Sequence, residues 1–533
     1  MNTKTNQNAT AYRARMDDFL TPRRDFRSGR PKTITQTATE HSNFKTPTTS
    51  INIQKPSSHT QTDVAASIMN TERLPHFDLP IYVAPERPQK ILRKKHNWRR
   101  SFLKASAASM AVFVLFIGVF FWKGYVNVHK VFRGSNTVAA LQAEQVAPEL
   151  LKGEGDGRVN ILMLGIGGEN HDGGDLTDTI MVLSVDPVNK TAAMLSVPRD
   201  LWVKMPVNYF GAYQKINAAY SSGKYKYLGS SDLSSHNQQA VDAGFEAVNE
   251  AVSSVLGINI NYHVLVDFQA FQQAIDTVSG VTLDVKEQLY DPTMAWENAN
   301  NPVLAPAGVQ SMTGKQALMY ARSRETSSDF ARSERQRQLL VALKTKVLTL
   351  GTLSSPSRID SLMNAFGDNV RTDLSTKAAG RLFSIMKDIE DSEIASLSLT
   401  TPQNLVTTDR VGAASVVRPK AGFNAYSEIQ AYVRSKLRDG YLVKEKANVY
   451  VVGASEALRN HTVSTLTGFG YTMIGSTLME RLPSGVTIVD LSRGKAPYTQ
   501  HYLQDRYGVA ATQILPVGLQ VPSGTQFVIL AGT

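Results

Sequence analysis

The chain contains no cysteine in its 533 residues. Disulfides, zinc–thiolate sites, iron–sulfur clusters and cysteine nucleophiles are therefore excluded, and any domain outside the cytosol must be stabilised by its core alone. Two hydrolase patterns are also missing, because the ten histidines show no H-E-x-x-H spacing and no G-x-S-x-G elbow occurs. The sequence thus excludes thiol enzymes and argues against zinc and serine hydrolases.

Acidic residues are scarce in the N-terminal fifth of the chain. Residues 1–104 hold 19 Lys+Arg and 8 Asp+Glu, which accounts for the whole net charge of +11, and the remainder holds 38 of each sign. A basic chain with a pI near 9.4 suggests nucleic acid as a partner. Because the bulk of the chain is neutral, a basic DNA-binding domain there is disfavoured, and we expect no nucleic-acid partner.

A long apolar run follows a basic cluster. The run Ala105–Trp122 has eighteen residues without a charge, enough to cross the hydrocarbon core of a bilayer. Seven Lys and Arg lie between Lys90 and Lys104 with no acid among them, which places that side in the cytoplasm. We predict a disordered basic cytoplasmic tail over 1–104, a transmembrane helix over 105–122, and a single-pass cell-membrane protein whose bulk is extracellular. A buried core helix and a cleaved signal peptide are the disfavoured alternatives.

The outer part alternates short apolar strands with helical periodicity. Strand-like runs occur at 159–164, 179–185 and 192–197, and helical patterns follow at 237–256 and 267–278. This alternation predicts an α/β fold, an α/β/α sandwich with a mixed central sheet. The predicted domains are a stalk and linker over 123–157, a main domain over 158–348, a helical extension and linker over 349–440, and a small C-terminal α/β domain over 445–533.

Two loops carry candidate ligands. The glycine-rich loop 165–178 includes Asp175 and Asp178. Its glycines would let the backbone approach a phosphate, and its acids would suit a hard cation, although a long surface loop is the alternative. Arg199 and Asp200 close an apolar strand, where open α/β sheets place ligands, and a surface Arg–Asp pair is the alternative there.

An arginine-rich segment follows at 317–336. Its charged and amide side chains include Arg322, Arg324, Asp329, Arg332, Arg335 and Gln336. If 318–324 is a strand, Arg322 and Arg324 project from the same face of it. A helix that begins near 332 would place Arg332 and Arg335 on one face. Four arginines would repel one another unless an anion lay between them, and their paired N–H donors suit a phosphate or pyrophosphate. The alternative is a solvated helix face with weak local ion pairs.

A series of motifs runs in order along the main domain. They are NILMLG, TDTIMVLSVDP, LSVPRD, KINAAY, VDF, SGVTLDV, GVQSMTGKQALMYARSR and D-x-x-R-x-x-R-Q. This order resembles the LytR-CpsA-Psr family of bacterial cell-envelope proteins over about residues 158–348. The segment 445–533 resembles the small C-terminal domain of many members. The family's single membrane helix and external catalytic domain agree with the topology predicted above.

The resemblance implies a phosphotransferase of cell-wall assembly. Such an enzyme takes a glycopolymer from an undecaprenyl-pyrophosphate carrier and joins it to a peptidoglycan sugar hydroxyl through a phosphodiester. Mg²⁺, with Mn²⁺ as an alternative, and arginines would hold the pyrophosphate, and an apolar pocket would hold the polyprenyl chain. A side pyrophosphatase activity is also expected. The implied partners are the carrier-linked glycopolymer, peptidoglycan and the cell membrane.

The resemblance also implies roles for individual residues. The implied metal ligand is Asp178, with Asp172 or Asp175 as a candidate to replace the acid that many members carry where this chain has Gly167. The implied pyrophosphate-binding residues are Arg199, Lys215, Arg322, Arg324, Arg332, Arg335 and Gln336. The implied catalytic residues are Asp200, Asp329, Arg322 and Arg324, and either aspartate is a candidate for the base that takes the acceptor proton.

Two positions depart from the family pattern. Members often carry Asp where this chain has Gly167, and Arg where it has Leu176. These departures leave open a non-catalytic envelope protein that binds polyprenyl phosphate or glycan. A membrane-linked transcriptional regulator is a further hypothesis, suggested by the basic tail, although residues 1–104 contain no helix-turn-helix pattern.

Overall fold

The computed structural model describes residues 137–142, 145–168, 171, 173–229, 237–323, 329–349 and 369–533. The predicted tail 1–104 and membrane-spanning run 105–122 lie outside these ranges. Across the ranges that are described, no helix is both long enough and apolar enough to cross a membrane.

The main part of the chain contains short strands and longer helices. Its strands are β1 (Val159–Ile166), β2 (Thr177–Asp186), β3 (Thr191–Ser196), β4 (Trp202–Lys204), β5 (Tyr213–Lys215), β6 (Tyr262–Asp267), β7 (Val281–Val285), β8 (Leu289–Tyr290), β9 (Val303–Ala305), β10 (Gly308–Met312), β11 (Val370–Thr372), β12 (Ile394–Ser398), β13 (Val406–Val411) and β14 (Ala414–Pro419). Its helices are α1 (Ala139–Gln142), α2 (Ala219–Leu228), α3 (Gln238–Leu256), α4 (Phe268–Thr277), α5 (Gly314–Arg322), α6 (Asp329–Thr349), α7 (Thr376–Lys387) and α8 (Ser427–Lys436). Short 3-10 helices include Pro292–Glu297.

Six strands form the main sheet in the order β11-β6-β1-β2-β3-β12. Strand β1 is parallel to β6 and antiparallel to β2, while β3 is antiparallel to β2 and parallel to β12. Side chains of α2, α3 and α8 pack on one face of the sheet, and those of α1, α6 and α7 pack on the other. The predicted α/β fold with a mixed central sheet is therefore confirmed.

The sequence pattern explains why both faces are covered. Along β1, Leu162 and Leu164 join one hydrophobic cluster, and Ile161 joins the cluster on the opposite face. Strands buried on both faces read as continuous apolar runs, which made them visible in the sequence. The long helix α3 is preceded by Asn237, whose side chain caps two backbone amides, and is followed by Gly257 in the left-handed conformation.

Residues 349–440 contribute more sheet than the sequence predicted. We expected a helical extension and linker, but this stretch supplies β11 and β12, the two edge strands of the main sheet, in addition to α7. These strands have three and five residues, too few for a period of two to stand out from neighbouring helical patterns. Strand β7 pairs with β10 in a two-stranded ribbon outside the main sheet.

The C-terminal part carries a second sheet. Its elements are α9 (Gly440–Glu445), β15 (Asn448–Gly453), α10 (Glu456–Phe469), β16 (Thr472–Leu478), β17 (Val486–Asp490), α11 (Pro497–Tyr507), β18 (Ala511–Thr512) and β19 (Phe527–Ala531). The strand order is β16-β15-β19-β17-β18. Strand-like runs at 449–453, 486–492 and 527–532 and helical patterns at 455–468 and 497–507 indicate β15, β17, β19, α10 and α11 in the sequence, which gave no sign of β16 and β18. The domain limits stay predictions.

A buried aspartate joins the second sheet to the start of the main one. Asp439 is 2% exposed, and its carboxylate accepts hydrogen bonds from the backbone amides of Gly155 and Gly157, both at 2.9 Å, and from Tyr502 Oη at 3.2 Å. Burial raises the pKa of Asp439, and the backbone amides oppose that rise. Arg158, which follows Gly157 in the chain, is buried and donates hydrogen bonds to residues of β2. The beginning of β1 is thereby tied to the C-terminal part.

A histidine and a carboxyl group with displaced pKa values meet on β6. His263 stacks on Phe245 with ring centroids 3.5 Å apart, and its Nδ1 lies 3.4 Å from Asp373 Oδ2. Burial lowers the pKa of His263 from 6.5 to about 3 and raises the pKa of Asp373 from 3.8 to about 6. The stability contributed by neutral His263 is lost as pH falls from 6.5 toward 3. The stability contributed by protonated Asp373 is lost as pH rises from 3.8 through 6. The two slopes oppose each other between about pH 4 and 6.

Replacing Asp373 with asparagine removes one of these slopes. We expect Asp373→Asn to lose unfolding free energy more steeply than the wild type between about pH 6 and 4, because the His263 slope is no longer opposed. The slopes of unfolding free energy against pH differ between the two proteins by less than the equivalent of one proton, because Asp373 is partly exposed. Urea unfolding at several pH values measures the difference, with Asp388→Asn at an exposed position as the control. Parallel pH profiles for wild type and Asp373→Asn would contradict the prediction.

Candidate active site

Four strands meet at one edge of the main sheet. Strands β1, β3 and β6 end at this edge and β2 begins there, because Ile166 pairs with both Thr177 and Asp267. The loops 165–178 and 196–200, predicted to carry ligands, therefore leave the sheet at the same place. This is the edge at which open α/β sheets bind ligands.

Charged side chains from the loop 165–178, the loop 196–200 and strand β5 lie together. Arg199 Nη1 donates to Asp178 Oδ1, and Arg199 Nε lies 3.7 Å from Asp200 Oδ2. Lys215 Nζ lies 2.9 Å from the other Asp200 oxygen, a position set by the β4–β5 hairpin, in which Lys215 pairs with Trp202. The two aspartates and the arginine are 23–31% exposed, so a ligand from solvent can reach them. The structure thus brings four predicted site residues into one cluster.

Asp175 lies in the same loop but is anchored to a helix. Its Oδ2 accepts hydrogen bonds from Lys224 Nζ at 2.9 Å and Tyr225 Oη at 2.5 Å, both on α2. These contacts hold the loop against α2. Within the described part of the chain, no three Asp, Glu or His side chains are grouped so as to hold a metal ion. Metal binding by Asp175 and Asp178 stays a prediction.

The segment before the arginine motif is a helix, and the strand considered at 318–324 is wrong. Helix α5 begins with a capping box. The Thr313 side chain accepts a hydrogen bond from the backbone N–H of Gln316, and the Gln316 side chain accepts one from the backbone N–H of Thr313. The sequence T-G-K-Q carried this signal, but the apolar residues after it resembled a strand. Arg322 therefore lies in the last turn of a helix. Arg324 lies outside the described residues, and its role stays a prediction.

Helix α6 buries the next two arginines. Arg332 and Arg335 are each 7% exposed, so they do not form a solvated helix face. Arg335 donates from Nε to Tyr320 O at 2.9 Å and from Nη2 to Ser323 O at 2.6 Å, which satisfies carbonyls at the end of α5. Burial lowers the pKa of Arg335. The side chain of Asp329, at the start of α6, lies outside the description, and its role stays a prediction.

Gln336 links the arginine helices to the sheet. Its Nε2 lies 3.4 Å from Thr179 Oγ1 on β2 and 3.4 Å from Ala321 O on α5. Thr179 follows Asp178 in the chain, and Ala321 precedes Arg322. One amide group therefore holds the two predicted clusters against each other.

Arg322 has two partners that the sequence did not indicate. Its Nη1 donates to both carboxylate oxygens of Glu297, at 3.0 and 3.2 Å, and its Cζ lies 4.7 Å from the centre of the Phe268 ring. Phe268 directly follows β6, so Arg322 also reaches the edge of the sheet at which β1, β3 and β6 end. No local motif signalled Glu297, because it is 25 residues from Arg322 in the chain.

Packing fills the two positions that depart from the family pattern. Leu176 is 7% exposed and belongs to the hydrophobic cluster that includes Tyr225. A Cβ atom added at Gly167 would lie 2.6–2.7 Å from side-chain atoms of His171. An acid at position 167 would thus require His171 to move.

Truncating Arg335 would leave two carbonyls at the end of α5 without their donor. We expect Arg335→Ala to lower the free energy of unfolding by about 2–4 kcal/mol. Arg337→Ala is the control on the same helix, since it removes a partly exposed pair with Glu334 and should cost at most about 1 kcal/mol. Urea unfolding of the full chain measures both. Equal losses in the two variants would contradict a structural role for Arg335.

The chain is similar to several known bacterial proteins. It is 30% identical over 226 residues to the polyisoprenyl-teichoic acid–peptidoglycan teichoic acid transferase TagV of Bacillus subtilis, a match that covers 42% of this chain and 51% of TagV. It is 25% identical over 320 residues to the transferase TagT of the same organism, covering 59% and 89%. Regulatory protein MsrR of Staphylococcus aureus is 29% identical over 252 residues, covering 46% and 65%. The chain thus spans about half the length of TagV.

Solved structures include similar chains. The crystal structure of B. subtilis TagV matches with 27% identity and a TM-score of 0.39, over 52% of this chain and 97% of that chain. TagT bound to LI-WTA matches with 21% identity and a TM-score of 0.40, over 58% and 98%.

The sequence profile of the LytR_cpsA_psr family matches residues 125–421. This range is more than half of the chain, and it contains every strand of the main sheet together with the clusters around Asp178 and Arg322. The chain therefore belongs to the LytR_cpsA_psr family.

Proposed function

We propose that this chain is a phosphotransferase that attaches a glycopolymer to peptidoglycan in cell-wall assembly. The donor is a glycopolymer joined through pyrophosphate to an undecaprenyl carrier, and the acceptor is a hydroxyl of a peptidoglycan sugar. The acceptor oxygen attacks the phosphorus that carries the glycan, the P–O bond to the second phosphate breaks, and polyprenyl monophosphate leaves. Family membership and the names of TagV and TagT support this reaction class.

The observation that carries the proposal is the junction made by Gln336. It holds the Asp178–Arg199 cluster beside the helix that presents Arg322. A pyrophosphate at this junction would meet cations from two directions. Phosphoryl transfer needs little covalent chemistry from the protein and depends on positioning and on neutralising charge on the phosphate oxygens. The junction would provide both the positioning and the neutralising charge.

The arginines divide into two roles. Arg199, Lys215 and Arg322 have partly exposed side chains and would bind the pyrophosphate directly. Arg335 gives its donors to backbone carbonyls, so it would act by positioning α5 against α6. Arg324, two residues beyond Arg322, would add a further phosphate contact.

The acceptor hydroxyl must lose a proton as its oxygen attacks. Asp200 lies between Arg199 and Lys215 at the edge of the site and would accept that proton. Asp329 is the second candidate for this base.

Asp178 suits magnesium better than Asp175 does. Mg²⁺ commonly takes one or two carboxylates together with oxygens of the substrate phosphates. Asp178 is 31% exposed and Arg199 contacts one of its oxygens, whereas Lys224 and Tyr225 both hold Oδ2 of Asp175. When bound, the ion would neutralise charge developing on the phosphate oxygens. Use of Mn²⁺ and a side pyrophosphatase activity belong to the same proposal.

The proposed location follows from the apolar run 105–122. It has no charged residue and follows a cationic cluster, so we propose a single-pass membrane protein with its N-terminus in the cytoplasm and its catalytic part outside. This topology would place the site on the side of the membrane where peptidoglycan lies, within reach of a lipid-linked donor.

A non-catalytic binding protein is the second candidate. The glycine at position 167, where family members often carry an acid, favours it because one carboxylate contact to a metal would be missing. It predicts tight binding of a lipid pyrophosphate without transfer in the presence of Mg²⁺.

Arg322→Ala would remove one of the exposed cations of the proposed site. We expect transfer of a lipid-pyrophosphate-linked glycan to peptidoglycan to fall about a hundredfold or more, the loss typical of a group that stabilises transition-state charge. Arg410→Ala, on an exposed position of β13, is the matched control and should keep the wild-type rate. The assay uses the full chain in detergent with a labelled donor. Wild-type transfer by Arg322→Ala would contradict the assignment.

Removal of divalent ions tests the proposed metal. We expect EDTA to stop transfer and added Mg²⁺ to restore it, because phosphate charge would otherwise stay uncompensated. Asp178→Asn should raise the Mg²⁺ concentration needed for half-maximal rate, while Asp284→Asn at an exposed position should not. An unchanged Mg²⁺ dependence in Asp178→Asn would exclude this aspartate as the ligand.

A further inference from the structure

Two acids at opposite ends of one 3-10 helix hold two consecutive residues of the proposed site. The helix is Pro292–Glu297, and Asp291 caps its start. Glu297 accepts from Arg322 Nη1 at 3.0 and 3.2 Å, and Asp291 Oδ2 accepts from Ser323 Oγ at 2.7 Å. The helix therefore bridges the side chain of Arg322 and the residue that follows it.

Asp291 is the fixed end of this bridge. It is 1% exposed, and its Oδ1 accepts from the Thr293 amide at 3.0 Å and from Thr293 Oγ1 at 2.6 Å. Its other oxygen binds Ser323, whose carbonyl in turn accepts from buried Arg335. A buried carboxylate with these partners is costly to move, so the backbone after Arg322 is held firmly.

Glu297 is the end that orients the guanidinium. Both of its oxygens bind Nη1 of Arg322, and the Phe268 ring lies against the guanidinium, 4.7 Å from Cζ. These contacts restrict both the rotation and the plane of the group. Within the part of the chain that the structure describes, the edge formed by Nε and Nη2 makes no hydrogen bond. Two parallel N–H groups on one edge are the arrangement that binds two oxygens of a phosphate.

We infer that Glu297 and Asp291 are positioning residues for Arg322, which hold it so that its Nε–Nη2 edge faces the pyrophosphate. This inference rests on the proposed function. Glu297 fixes the side chain before the ligand arrives, so less side-chain freedom is lost on binding. Asp291 fixes the backbone to which that side chain is attached.

The opposite role for Glu297 makes a different prediction. If its carboxylate competed with phosphate for Arg322, every variant that removes the charge would bind pyrophosphate more tightly than the wild type. A positioning role predicts weaker binding when the acceptor is removed and rescue when an uncharged acceptor of the same shape is kept. Glutamine is that acceptor, because its amide oxygen still accepts from Nη1.

The experiment measures binding of inorganic pyrophosphate and of farnesyl pyrophosphate to the full chain in detergent by calorimetry. We expect Glu297→Ala to bind both probes about threefold to tenfold more weakly than the wild type, the cost of ordering one long side chain. Glu297→Gln should bind within about twofold of the wild type. Glu287→Ala and Glu287→Gln, at an exposed turn between β7 and β8, make the same charge changes and should leave affinity unaltered.

Kinetics separate positioning from general loss of structure. In the transfer assay, Glu297→Ala should raise the donor KM more than it lowers kcat, with an unchanged unfolding midpoint. Asp291→Asn should also weaken binding of farnesyl pyrophosphate, and its unfolding midpoint shows how much of that loss is global.

The possible failures are distinguishable. Glu297→Ala binding as tightly as, or more tightly than, the wild type would overturn the inference while leaving the proposed function intact. A wild-type chain that binds neither probe and transfers no glycan would overturn the proposed function, and the inference with it.

Discussion

The buried guanidinium of Arg335 is the contact on which the rest of the site depends. A charged group with 7% exposure must have its donors satisfied, and Arg335 gives them to Tyr320 O and Ser323 O at the end of α5. Carbonyls in the last turn of a helix generally have no partner within it, so one contact meets two needs and fixes α6 against α5. The next residue, Gln336, reaches strand β2 from this fixed helix. The distance between the Arg322 side and the Asp178 side of the site is therefore set by two neighbouring residues.

Charge compensation is the second property of this edge of the sheet. Among the described residues, cations pair with carboxylates in the sets Asp178–Arg199, Asp200–Lys215, Asp175–Lys224 and Glu297–Arg322. These pairs reduce the repulsion among the cations at this edge of the sheet. Because the Asp178–Arg199 pair is partly exposed, exchanging its carboxylate for a phosphate would cost less than it would in a dry core. The compensation also explains why the charges that matter for function are invisible in the net balance of the chain.

Strand β1 runs from the opposite edge of the main sheet to this edge. It begins beside Arg158 and the buried carboxylate of Asp439, where the segment before the main sheet meets the C-terminal sheet. It ends at the glycine-rich loop of the site. Val146 and Leu151 from the predicted stalk pack in the hydrophobic core of the C-terminal sheet. The C-terminal part thus helps to hold the stalk segment at the end of the sheet away from the proposed chemistry.

The sequence by itself determined the strands β1 to β3, the helix α3, the family motifs and the charge asymmetry of the N-terminal fifth, because each rests on a local pattern. It also predicted Asp178, Arg199, Asp200, Lys215 and Gln336 as site residues, and the fold brings these five residues to one edge of the sheet. Tertiary structure decided what no local pattern contains. Edge strands β11 and β12 are recognisable by their pairing, and Glu297 and Asp291 by contacts across the fold. Helix α5 is a different case, because its capping box is a local signal that the apolar residues after it obscured. The physical reason is common to the edge strands and the two acids: short strands and long-range polar contacts derive their stability from partners distant in the chain, so their own residues carry little sign of them.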